Sequence, residues 1–195
     1  MTETPPAPLT KSVALFEQSA TYMVEAVSGL TDEHLTRPTP CADWNLRPLL
    51  LHIADAADGL AGLAGTGELS FPTPPRTDDA DPVTVAHDRV RRLFDVVESA
   101  GRRNALADEQ RRWATTAAHA GAIELAAHAW DVYMAVGEDR PIPTELATEL
   151  LELATSLIDD DSREPRFGPV VSVLPTATPS DRFIAFLGRR PGSGA

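Results

Sequence analysis

Four stretches of this chain place apolar residues at helical spacing between glycine and proline breaks, and that pattern limits the fold more than any other feature. From about Thr10 to Ser28, the residues Val13, Phe16, Ala20, Met23, Val24 and Val27 form one stripe, and Gly29 follows as a stop. Thr31 or Asp32 caps a short turn through Leu35. The turn-rich TRPTPCADW leads to Asp43 or Asn45, either able to cap a second helix ending near Gly65, with Pro48 tolerable in its first turn. Asp81-Pro82, a cap followed by a first-turn proline, starts a third helix carrying Val83, Ala86, Val90, Leu93 and Val97. A fourth is expected from about Ala118 to Val136, before Gly137. A fifth follows Pro143, capped by Thr144, with Leu146, Leu150, Leu153 and Leu157 inward.

Amphipathic helices must bury their stripes against one another, so the expectation is an all-α chain built on a four-helix bundle. Residues 1–8 are expected to be disordered, 9–164 to form the bundle, and 165–195 to form a C-terminal extension with a short strand in RFGPVVSVLP and a helix from Ser180 to Leu187, closed by Gly188. Residues 66–80 read as a loop, and 101–117 as irregular and polar. The 195 residues suffice for one domain with a sizeable core.

On the fourth helix, Glu124 and His128 stand four apart in GAIELAAHAWDVYMAVG and project from one face, among Ala, Ile, Leu and Val. A carboxylate on such a face is expensive unless paired or metal-bound. The alternative is a hydrogen bond between the two on a partly exposed helix face. His52, in LRPLLLHIADAADGL, is a third candidate ligand. Two histidines and one glutamate leave a coordination position open, as catalytic zinc sites do. Alanines flank the ligands on both helices (54, 56 and 57; 126, 127 and 129), which allows the close approach that bonds of ~2.0–2.2 Å require.

The net charge of −12 argues against nucleic acid and against anionic membrane surfaces. A single cysteine, Cys41, excludes an internal disulfide and fits a reducing compartment. With neither a leader pattern nor a long apolar run, the expected location is the cytoplasm. Sixteen of the seventeen basic residues are Arg, a hint of GC-rich codon usage.

The segments PCADWNLRPLLLHIAD, IELAAHAWDVYMAVG and RFGPVVSV…DRFIAFLGRRP resemble the actinobacterial metal-binding branch of the DinB-like superfamily, related to the N-terminal domain of mycothiol-dependent maleylpyruvate isomerase. The likeness spans roughly residues 10–191. It implies a DinB-like four-helix bundle holding a divalent metal, usually zinc, on His52, Glu124 and His128, with mycothiol as cosubstrate. Glu124 is closer to the isomerase pattern than to the many DinB-like proteins with His there. The isomerase's separate C-terminal domain is expected to be absent or reduced to the tail.

Asp131, three residues after His128, is the candidate catalytic base near the open position, or else a group orienting a ligand from behind. Asp55 is a weaker candidate for that orienting role. Cys41 is a candidate thiolate, against the reading of a small inert side chain. Trp44 and Trp130 read as packing residues, His34 and His87 as surface histidines, and His119 as turned away from the ligand face. The acidic run 159–161 reads as solvated. Arg102–Arg103, Arg111–Arg112 and Arg189–Arg190 read as surface ion pairs or as anchors for an anionic substrate. The leading expectation is an enzyme that activates a low-molecular-weight thiol for S-transfer to, or isomerisation of, a small electrophile, as transferase or isomerase. A hydrolase using metal-activated water and a non-catalytic metal- or ligand-binding protein are the alternatives. Zinc suits the ligands, though nickel, iron or manganese also fit such a set. A homodimer is compatible with exposed helix faces.

Overall fold

The computed structural model describes residues 9–41, 44–71, 81–103, 106–163 and 166–192. The expected disorder of residues 1–8, Asp43 as a cap, and residues 72–80 of the loop lie outside the described residues. Four long helices carry the fold: α1 (Leu9–Val27), α2 (Leu46–Thr66), α3 (Pro82–Arg102) and α4 (Asp108–Val136). Then come α5 (Thr144–Leu157), the one-turn α6 (Asp160–Arg163) and α7 (Pro179–Phe186); a single 3₁₀ turn, Asp32–His34, lies between α1 and α2.

Local chemistry sets the boundaries. The Asn45 side chain accepts from the Arg47 amide at 3.2 Å and starts α2. Gly67 ends it in the left-handed region at φ 80°. A Cβ there would lie 2.5 Å from the Trp113 ring of α4, so position 67 requires glycine for both conformation and space. Asp81 caps α3 by accepting from the amides of Val83 and Thr84, each at 3.2 Å. Thr178 and Asp181 cap α7 reciprocally.

Cross-helix contacts fix the topology. Ser12 meets His119 and Tyr22 meets Tyr133, so α1 and α4 run parallel. Asp58 meets Arg89 and Arg92, and seven residues on Gly65 faces Val96, so α2 and α3 run parallel. Gly67 under Trp113 and His52 beside Glu124 make α2 antiparallel to α4. The bundle is therefore up-down-down-up, with the long connection between α2 and α3 as its crossover. Phe16, Met23, Leu50, Ile53, Leu93 and Leu125 are buried in its centre, each contributing about 1.5–3 kcal/mol by leaving water. Helix α5 touches α1 and α4 but packs chiefly on α7, as a layer beside the bundle.

Three expectations need correction. Residues 101–117 are largely helical: α3 continues to Arg102 and α4 begins at Asp108. Asp108 and Glu109 suit the positive end of the α4 dipole, and its first turns point their charged residues outward, with Ala114 and Ala117 buried. Residues 166–177 form no strand among the described residues, since no second strand lies beside them; the amide of Val171 bonds instead to the carbonyl of Ala185 on α7. Leu157 does not face inward. It is exposed because α5 stops there and the chain turns extended at Ile158. No helix among the described residues is long and apolar enough to cross a membrane.

Candidate metal centre

The three predicted ligands meet at one end of the α2–α4 seam. Glu124 and His128 share the inner face of α4, and antiparallel α2 brings the first turns after Asn45 opposite them. The Oε1 atom of Glu124 lies 2.7 Å from Nε2 of His52 and 3.1 Å from Nε2 of His128. One donor atom from each residue lies within 4.8 Å of the others. The imidazoles of His52 and His128 stand edge to face with centroids 5.2 Å apart. Trp44 lies tilted over His52 at 4.8 Å, held by Thr39, whose amide and hydroxyl both donate to the Trp44 carbonyl at 3.0 Å.

These donors fit a divalent ion. Adjacent ligands of a tetrahedral ion with ~2.0–2.2 Å bonds stand roughly 3.3–3.6 Å apart, so each of the two Glu124–histidine separations needs to open by less than about 1 Å. The side chain of His52 is 39% exposed and that of Glu124 24%, against 6% for His128. The cluster therefore opens to solvent on the α2 side, which is what a free coordination position needs.

Behind His128 the polar chain continues inward. Its Nδ1 donates to Oδ2 of Asp131 at 2.9 Å. Asp131 is fully buried. Arg189, from the turn after α7, donates to it through Nε at 2.9 and 3.1 Å and through Nη2 at 2.8 Å. Asp131 thus contacts the opposite ring nitrogen from the one facing Glu124. Its carboxylate is occupied by His128 and Arg189 and lies on the far side of the His128 ring from Glu124.

The charges follow from these neighbours. Burial opposes ionisation of Glu124, but His128 and His52 outweigh it and hold the carboxyl well below its usual range. Burial also opposes the charge on His128, yet Glu124 and Asp131 on either side of the ring raise its pKa to about 9. Asp131 is lowered in spite of its burial, by Arg189 first and then His128. Burial pushes the Cys41 thiol up to about 11, so at neutral pH it is a protonated thiol and a poor nucleophile.

Cys41, His128 and Asp131 form a second group of close donor atoms. There the guanidinium of Arg189 already supplies the cation, leaving no call for a metal.

Among the other residues singled out, Asp55 and Trp130 are buried, and His119 bonds to Ser12 Oγ at 2.8 Å away from the cluster. Arg102, Arg103, Arg111 and Arg112 are exposed. Arg189 is the residue whose place the sequence concealed. A signal existed: a carboxylate predicted on the buried face of α4 calls for a cation, and Arg189 follows a glycine at the end of an amphipathic helix.

An up-down-down-up bundle with a His–Glu–His cluster opening at one end defines a helical domain with a candidate metal site. Residues 16–154 match the family described as the mycothiol maleylpyruvate isomerase N-terminal domain, and the chain belongs to that family. Its fold is the DinB-like helical one. Two Mycobacterium tuberculosis proteins are similar: Uncharacterized protein MT0763 (strain CDC 1551 / Oshkosh) and Uncharacterized protein Rv0738 (strain ATCC 25618 / H37Rv). Each is 26% identical over 163 residues, covering 80% of this chain and 86% of the relative. No solved structure matches the chain significantly.

Proposed function

We propose that this protein is a metal-dependent enzyme that binds a low-molecular-weight thiol, mycothiol or one like it, and delivers it to a small electrophile. The product is an S-conjugate, or an isomer when the thiol adds and leaves again. The observation that carries this reading is the single Glu124 oxygen set between two imidazole Nε2 atoms at 2.7 and 3.1 Å. The family supports the choice of thiol, since its description names mycothiol.

In this reading His52, Glu124 and His128 hold the ion, zinc by preference and nickel as an alternative. A divalent ion there would strip the proton from a thiol placed at its open position and stabilise the thiolate. The rest falls to the chain. Glu124 offsets one of the two positive charges, and the exposed edge of His52 leaves the approach open. Asp131 keeps the His128 ring fixed, and Trp44 limits how far His52 can swing. The hydrolase alternative loses its candidate base, because Asp131 is fully buried and bonded to His128 and Arg189. The non-catalytic alternative expects a closed site. The partial exposure of His52 and Glu124 favours an open one.

The test is metal analysis followed by thiol titration. Purified protein should carry about one divalent ion per chain, and mycothiol should raise the Tm of the loaded form only. Wild-type protein without metal affinity, or a His52→Ala variant with unchanged metal content, would sink the proposal.

A further inference from the structure

Arg189, in the part of the chain beyond the family match, reaches back to Asp131 behind the cluster. Its local construction serves that reach. Arg163 on α6 is buried and donates through Nη1 to the carbonyls of Gly168 at 3.2 Å and Phe186 at 2.7 Å, with its guanidinium over the Phe186 ring. Gly188 takes φ 85°, and a Cβ on it would lie 2.7 Å from the Gly168 backbone. This crossing of two glycines turns the chain after α7 so that Arg189 enters the bundle end. The side chain of Arg189 is 10% exposed and that of Asp131 is fully buried.

The hydrogen-bond geometry carries the argument. Oδ2 of Asp131 accepts from Nη2 of Arg189 at 2.8 Å and from Nδ1 of His128 at 2.9 Å. The 3.4 Å approach of Nη2 to that same Nδ1 is two donors sharing one acceptor. A guanidinium cannot give up its proton, and an ionised carboxylate can only accept. Nδ1 of His128 must therefore carry the hydrogen, which leaves Nε2 as the atom that offers a lone pair to a metal on the Glu124 side. Nε and Nη2 of Arg189 grip both oxygens of the carboxylate, so the plane of the carboxylate is set as well as its position. A lysine would supply charge without that planar grip.

We infer that the C-terminal extension is a working part of the metal site: through Arg189 and Asp131 it fixes the tautomer and orientation of His128. Arg189 is a positioning residue. Its Nε and Nη2 both bond Asp131 and its side chain is only 10% exposed, so it acts through Asp131 rather than as an anchor for substrate. The inference rests on the metal-site reading above.

The experiment measures metal affinity by competition with a chromophoric chelator, together with the visible spectrum of the Co²⁺ form. The proteins are wild type, Arg189→Met, Arg189→Lys, Asp131→Asn and the Arg189→Met/Asp131→Asn double variant. Loss of an outer partner of a ligating histidine typically costs ~10–100-fold in affinity. Arg189→Met should weaken binding within that range and alter the Co²⁺ spectrum, and Arg189→Lys should recover only part. The double variant should be little worse than Asp131→Asn alone, because both act on one ring. If Arg189→Met is poorly folded, Arg189→Lys carries the same test, read with ¹⁵N-histidine NMR of the His128 tautomer. Wild-type affinity and spectrum in Arg189→Met or Arg189→Lys, even with a lowered Tm, would mean a purely structural role and overturn this inference alone. A wild type that takes up no metal would instead overturn the metal reading beneath it.

Discussion

The two ends of the α2–α4 seam solve the same packing problem with opposite chemistry. At one end Gly67 lies beneath Trp113, and a hydrogen in place of a side chain lets the helices close on an aromatic ring. At the other, His52, Glu124, His128, Asp131 and Arg189 form an unbroken polar chain from the surface to the interior. Both depend on the short distance between helices that alanine and glycine permit. The dry end needs nothing beyond shape. The polar end is sound only while every member has its partner, because a half-satisfied buried network is worse than an apolar one. Shape alone thus sets the approach of the helices at the Gly67 end, whereas hydrogen bonds between paired polar groups hold them at the Glu124 end.

Removing one member of the polar chain should have the largest effect. Asp131→Ala leaves the Arg189 cation buried without its partner and should cost about 3–5 kcal/mol in urea unfolding of the metal-free protein. A loss within 1 kcal/mol would mean the inner pair is looser than its distances indicate. Glu124→Ala should act differently. Metal affinity should fall by more than about 100-fold, beyond what outer partners contribute, while the metal-free fold loses less than in Asp131→Ala because Glu124 is partly exposed. Calorimetric titration with Zn²⁺ separates these effects.

A pH series sharpens the contrast next. The His128 pKa is about 9 in the folded chain against 6.5 ordinarily. A raised folded value means the group's stabilising contribution is complete below about pH 6.5 and is lost as pH climbs through 9. Metal-free protein should therefore lose on the order of 2–3 kcal/mol across that window, and metal affinity should rise over the same range because the ion displaces a proton. Flat unfolding curves between pH 6.5 and 9 would show that Glu124 and Asp131 do not hold His128 charged. The smallest effect belongs to the dry end. Gly67→Ala should cost about 1–2 kcal/mol from left-handed strain, and somewhat more if Trp113 cannot shift, with metal affinity unchanged. A fall in metal binding in that variant would show that the two ends are not independent.

The helices and the convergence of the candidate ligands Glu124 and His128 were legible in the sequence for one physical reason: both depend on periodicity. Apolar stripes on α1 and α3, and the four-residue step from Glu124 to His128, follow from 100° per residue. The first turns of α4 were hidden because their exposed face is a run of Asp, Glu, Gln and Arg, while the inward face relies on Trp113 and small alanines. The expected strand failed because strand formation depends on a partner, and Val171 found only α7. Arg189 was hidden for a related reason. Arg189 and Arg190 look alike as a pair, and what turns the first inward is the left-handed Gly188 pressed on Gly168, a contact between residues twenty apart. Asp131 was visible as a neighbour of His128, but its function depended on a cation that periodicity does not supply.

The indole of Trp44, tilted against His52 at the open side of the cluster, also gives the site an optical signature. Whatever reorients that imidazole changes the surroundings of an excited ring system a few ångströms away. Emission from residue 44, isolated by replacing the indoles at 113 and 130 with phenylalanine, would therefore follow occupancy in real time without any added dye.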